Sequence, residues 1–103
     1  GRHFRLDQNT KLIVGRNKDE NEMMHALALS NDILLEAKEH VGPTTLLRGN
    51  GIEKHIEFSA KITLRYSDAP KNETGVITVH KNEGVTEISV DCAEEISYTQ
   101  FRI

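Results

Sequence analysis

The apolar run Lys11-Leu12-Ile13-Val14 leads directly into Gly15-Arg16-Asn17-Lys18-Asp19-Glu20-Asn21. A short strand, a polar turn and a helix start follow one another with no linker, which commits the first part of the chain to packing a helix on a sheet. Asn17 is a good N-cap residue, and Glu20 three positions on is its capping-box partner. Met23, Met24, Leu27 and Ala28 then form one apolar stripe, predicting a helix from about residue 18 to about residue 29. A turn of this kind presents backbone N–H groups and a guanidinium on one side, a setting that suits oxygen-rich anions such as nucleic-acid phosphates.

The segments on either side extend the pattern. His3-Phe4-Arg5-Leu6 alternates polar and apolar, and Asp7-Gln8-Asn9-Thr10 is turn chemistry, so the chain opens with a hairpin. Asp32 to Lys38 reads as a buried strand. A strand–helix–strand crossover of this length suits a parallel pair. Gly42-Pro43 marks a turn, and the pair Leu46-Leu47 after it needs cover. Gly49 or Asn50 opens a second helix, expected near residues 51–66, with Ile52, Ile56, Ala60 and Leu64 on its apolar face. Gly75 to His80 and Val85 to Asp91 are alternating strands, with Ile77 and Val79 facing the same core as Ile88 and Val90. Ser97 to Ile103 is the last strand candidate. The expected fold is one α/β (α+β) domain over residues 1–103, a mixed β-sheet with two helices packed on it.

The numbers narrow the function. With 103 residues the chain has a core of modest size. Its longest unbroken apolar run is Ala26 to Leu29, which excludes a membrane-spanning helix and any membrane partner of that kind. No secretory signal is present and Cys92 is the single cysteine, so a cytoplasmic location is the simplest expectation. The first residue is Gly rather than Met, which suggests a domain cut from a longer protein. The net charge of −3 argues against a strong free-standing binder of polyanions. The charge is nevertheless uneven: residues 1–16 carry Arg2, Arg5, Lys11 and Arg16 against Asp7 alone.

No catalytic set assembles. There is no Gly-x-x-x-x-Gly-Lys, no Gly-x-Ser-x-Gly and no His-Glu-x-x-His, and the five histidines lack metal-ligand spacing. No catalytic residue, cofactor or metal is therefore expected. Cys92 stands among Asp91, Glu94 and Glu95, which suppress a thiolate. Among the histidines His40 is the best placed to stack on a base or touch a phosphate, because it adjoins the Gly42-Pro43 turn. The arginines carry more. Arg5 and Arg16 belong to the opening hairpin and its exit, Arg48 precedes the second helix, and Arg65-Tyr66-Ser67 joins a cation, a ring and a hydroxyl at its end. Such a set can stack on a base and hold a phosphate. The four guanidinium groups are expected on one face.

Several of these segments together resemble a known family. Gly1-Arg2-His3-Phe4-Arg5-Leu6, Lys11 to Asn17 with Glu20-Asn21, Gly42-Pro43-Thr44, Leu47-Arg48-Gly49 and Arg65-Tyr66-Ser67-Asp68 look like the NFACT-R type of RNA-binding domain. More narrowly, they look like the version fused C-terminally to PP-loop ATPases of tRNA thiolation. That resemblance implies an accessory module that binds tRNA or another structured RNA beside an upstream PP-loop domain. It carries Arg16, Asn17, Arg48 and Arg65-Tyr66-Ser67 over as RNA contacts. The PP-loop motif Ser-Gly-Gly-x-Asp-Ser is absent here, so any ATP chemistry belongs outside this chain. The alternative reading is a protein-interaction or assembly module, in which the strand Ser97 to Ile103 or the Met23/Met24 helix docks a neighbouring domain or subunit.

Overall fold

The computed structural model describes residues 2–50 and 52–103. Gly1, which begins the family-like opening, and Gly51, where the second helix is expected to begin, lie outside the described residues. Strands β1 (Arg2–Asp7) and β2 (Thr10–Val14) form the opening hairpin, with Phe4 opposite Leu12 and Arg5 opposite Lys11. Helix α1 (Lys18–Leu27) follows. Then come β3 (Ile33–Ala37), β4 (Thr45–Gly49), a 3-10 turn at Ile52–His55 and helix α2 (Ile56–Arg65). The chain ends with the hairpin β5 (Thr74–Lys81) and β6 (Gly84–Asp91), and a short helix α3 (Glu95–Thr99).

The six strands lie in the order β1-β2-β4-β3-β5-β6, and every pairing is antiparallel. The fold is α+β, as expected, but the mixed sheet is not. β2 and β3 do run in the same direction, yet β4 inserts between them and pairs with both, so the parallel contact never forms.

Alternation along the strands gives the sheet two distinct faces. On one face Phe4, Leu12, Val14, Leu35, Leu47, Ile77 and Val79 are fully buried beneath Ala60, Ile62 and Leu64 of α2 and Tyr98 of α3. Ile88 and Val90 join the same core. On the other face Met24 of α1 packs on Leu34 and Leu46, with Ile13 and Ala28 beside them. The two long helices thus lie on opposite faces. The far end of α1 is tied down by a carboxylate: Glu36 of β3 lies 3.1 Å from His25 Nε2 and 3.2 Å from His80 Nε2, and accepts the Thr44 hydroxyl at 2.7 Å.

The segment Ser97 to Ile103 is not a strand. Tyr98 and Phe101, three residues apart, face inward at helical spacing, and the ring of Tyr98 meets Phe4 edge-on at 5.9 Å. Only an isolated bridge joins Arg102 to Phe4. The tail still covers the outer edge of β1, because Arg5 N–H donates to Phe101 O and Ile103 N–H donates to His3 O.

Candidate nucleic-acid interface

Ion pairing sorts the cations of this chain. Lys18, Lys38, Arg48, Lys54, Arg65 and Lys81 each have a carboxylate within 4.0 Å, and Lys71 is held by the carbonyls of Arg65 and Ser67. Among the described residues Arg2, Arg5, Lys11, Arg16, Lys61 and Arg102 have no carboxylate at that distance. All but Lys61 belong to one region: the β1–β2 hairpin, its exit, and the tail bridged to β1. Asp7, the sole acid of residues 1–16, is occupied elsewhere, with its Oδ2 2.7 Å from His55 Nε2 and 3.8 Å from Lys54 Nζ.

Two arrangements of side chains result. The first is a row across the sheet. Arg5 lies opposite Lys11 and Lys11 opposite Arg48, so three cations on adjacent strands project from the α1 side of the sheet. The second is a cleft of about 480 Å³ at the β2–α1 junction, lined by Arg2, Arg16, Lys18, Val41, Tyr66 and Asp68 among others. Gly15 N–H donates to Thr44 O, and Thr44 N–H donates to Asn21 Oδ1, both at 3.0 Å, so the junction is pinned to the strand entering β4. A Cβ on Gly15 would stand 2.1 Å from Asn21 Oδ1, so a larger residue there would displace the Asn21 side chain from the Thr44 N–H. Asn17 Oδ1 accepts the Glu20 N–H at 3.0 Å as the N-cap. The Glu20 carboxylate returns one residue earlier than a capping box, accepting the Arg16 N–H at 3.1 Å.

Tyr66 lines the cleft. The Arg2 guanidinium carbon lies 4.6 Å from its ring centroid, within cation–π range. Burial raises the Tyr66 phenol above its ordinary pKa, helped by Tyr98 and opposed by Arg2 and Arg102, so at neutral pH it is a hydrogen-bond donor.

The sequence-derived candidates divide accordingly. Arg16, Asn17 and Tyr66 come together in the cleft. Arg5 and Arg48 share the cross-strand row. His40 is half-buried in the loop after β3 and is not among the residues lining the cleft. Arg65 pairs with Glu95 at 3.6 Å on the α2–α3 side. Ser67 is buried, its hydroxyl donating to Leu64 O at 2.6 Å and accepting the Ala69 N–H at 3.1 Å. The four arginines therefore do not share one face, because α2 carries Arg65 on the layer opposite the Arg5 and Arg48 side chains. Arg2, Lys11 and Arg102 were missed as individual residues. The excess of basic charge in residues 1–16 is the signal for the first two, and Arg102 has none.

The family model described as the NFACT protein RNA-binding domain matches residues 1–102. This chain belongs to that family. As an NFACT RNA-binding domain it shares its fold with the C-terminal part of the fibronectin/fibrinogen-binding protein from Streptococcus suis. The TM-score is 0.84 at 16% identity, over 99% of this chain and 48% of that one, so the NFACT domain spans about half of its structural neighbour. No curated protein sequence matches the chain. Among the described residues no helix is long and apolar enough to cross a membrane, and no group of three His, Cys, Asp or Glu is placed to hold a metal ion.

Proposed function

We propose that this domain binds structured RNA, tRNA included, along the β1–β2 edge, as an accessory module without catalysis of its own. The observation that carries the reading is the segregation of cations. A chain of net charge −3 pairs six of its thirteen lysines and arginines with carboxylates, and five of those without such a partner among the described residues, Arg2, Arg5, Lys11, Arg16 and Arg102, gather in one region. Polyanions release counterions only where cations are available to replace them. The hairpin row would position the phosphate backbone, and the cleft with Tyr66 would receive what projects from it. An upstream PP-loop domain of the tRNA-thiolation type would supply the chemistry, with this module delivering its substrate.

The test is tRNA binding across a salt series. Four or five phosphate contacts give a log–log slope of roughly −3 to −4. Arg16→Ala and Lys11→Ala should each reduce that slope by about one, whereas Lys38→Ala, whose cation is already paired, should leave it unchanged. Equal effects from all three substitutions would remove the basis of the reading.

A second reading rests on a different feature. Met23 and Leu27 of α1 are 58% and 61% exposed and border an apolar groove of about 340 Å³ with Ile13 and Leu46. A neighbouring domain or subunit docked there would be detached by Leu27→Glu, seen as a change in sedimentation without loss of RNA binding.

A further inference from the structure

Arg2 already lies over Tyr66, with the guanidinium carbon 4.6 Å from the ring centroid, and both line the junction cleft. A guanidinium is planar and has two faces. With one face turned to Tyr66, the other can take a second planar group. Resting on the RNA-binding reading above, we propose that the cleft holds a single unpaired nucleotide, its base stacked on Arg2 over Tyr66 and its phosphate on Arg16.

Three observations separate this from a general phosphate site. The row of Arg5 and Lys11 offers charge with no aromatic ring beside it, whereas the cleft offers a planar cation backed by a ring. Bases stack on guanidinium planes and aromatic faces, and phosphates need neither. Asp68 also lines the cleft. Its carboxylate repels a second phosphate but accepts hydrogen bonds from the N–H groups on a base edge. Val41, 78% exposed, adds an apolar wall at the same opening. The cleft volume of about 480 Å³ accommodates one nucleotide but not a helix. A base inside a duplex has both faces covered by its neighbours and cannot enter, so the ligand class is a looped-out, bulged or terminal nucleotide.

The experiment compares two RNA hairpins of identical stem, one with a single bulged 2-aminopurine and one with the bulge deleted, titrated at low salt. The unchanged chain should bind the bulged hairpin about tenfold more tightly and alter its fluorescence. Arg2→Lys keeps the charge and loses the plane, so binding of the bulge-free hairpin should hold within about twofold while the preference for the bulge disappears. Tyr66→Phe keeps the ring and should keep the preference. Equal affinity of the unchanged chain for both hairpins, or an undiminished preference in Arg2→Lys, overturns the proposal and leaves the salt-dependent RNA reading standing. Failure of both hairpins to bind at low salt overturns that reading and the proposal with it.

Discussion

Arg48 holds the Asp32 carboxylate with two nitrogens, Nε at 3.0 Å from Oδ1 and Nη2 at 2.6 Å from Oδ2, while Asp32 keeps only 3% of its side-chain surface. The Leu29 N–H donates to the same carboxylate at 2.8 Å. The contact ties β4 to the loop between α1 and β3, and it occupies a guanidinium that the sequence offers to RNA.

Arg48→Ala should therefore act on stability rather than on RNA. It leaves a buried carboxylate with one remaining donor, at a cost of about 1–3 kcal/mol. The urea midpoint should fall, and the salt slope of tRNA binding should change by well under one. Burial pushes the Asp32 carboxyl up, but the Arg48 and Leu29 hydrogen bonds and the Arg48 charge outweigh it and hold the group below its ordinary value. Its stabilising contribution is thus present above the unfolded carboxylate pKa and lost as the solution is acidified below it. An Arg48→Ala chain of unchanged stability with a slope reduced by a full unit would return Arg48 to the RNA surface.

A second acid-sensitive contact lies at the hairpin turn. The His55 side chain and the Asn9 N–H, opposed by some desolvation, lower the Asp7 carboxyl from 3.8 to about 2. Because the folded value is depressed, the stabilisation is complete above the unfolded value and fades as pH falls from near 4 to near 2. Carboxyl NMR titration of Asp7 should read about 2 in the unchanged chain. In His55→Ala it should move back toward the ordinary carboxylate range, and no movement would mean that the turn rather than His55 sets it.

Gly49 sets the register where β4 ends. Its φ is +149°, and a Cβ there would stand 1.8 Å from Asn9 O. Gly49→Ala should destabilise the chain by about 2–4 kcal/mol, combining backbone strain with a clash that only a shift of the β2–β4 pairing relieves. Thermal unfolding monitored by circular dichroism measures it, and a loss under about 0.5 kcal/mol would show that the turn at Asn9 yields freely.

The legible parts of the fold are those with one clean period, together with β3, whose unbroken Ile33-Leu34-Leu35 run reads as a strand buried on both faces. The hairpin, α1, α2 and the β5–β6 pair each show one clean period, and the structure moves only their ends. β4 is not legible because, covered on both sides like β3, it has no alternation, and its apolar run is only the pair Leu46-Leu47 between polar Thr45 and Arg48-Gly49. With β4 between them, β2 and β3 do not make the parallel pair that the crossover length suggests. In the tail, Tyr98 and Phe101 satisfy a helical spacing that a run of mixed residues disguised as a strand. For the candidate site, the Arg16–Asn17 junction and Tyr66 could be found from turn and helix-end chemistry. The difference between Arg5, which is unneutralised, and Arg48, which is spent on Asp32, depends on contacts sixteen residues apart in sequence and has no local signature.

The one-sided distribution of unneutralised cations also bears on how the molecule meets its ligand. An acidic body with a basic edge is an electric dipole. In the field of a polyanion such a dipole turns edge-first before any contact forms, while approaches by its other sides are repelled. The acidity that weakens affinity therefore narrows orientation: collisions are fewer, but those that succeed already present the β1–β2 edge.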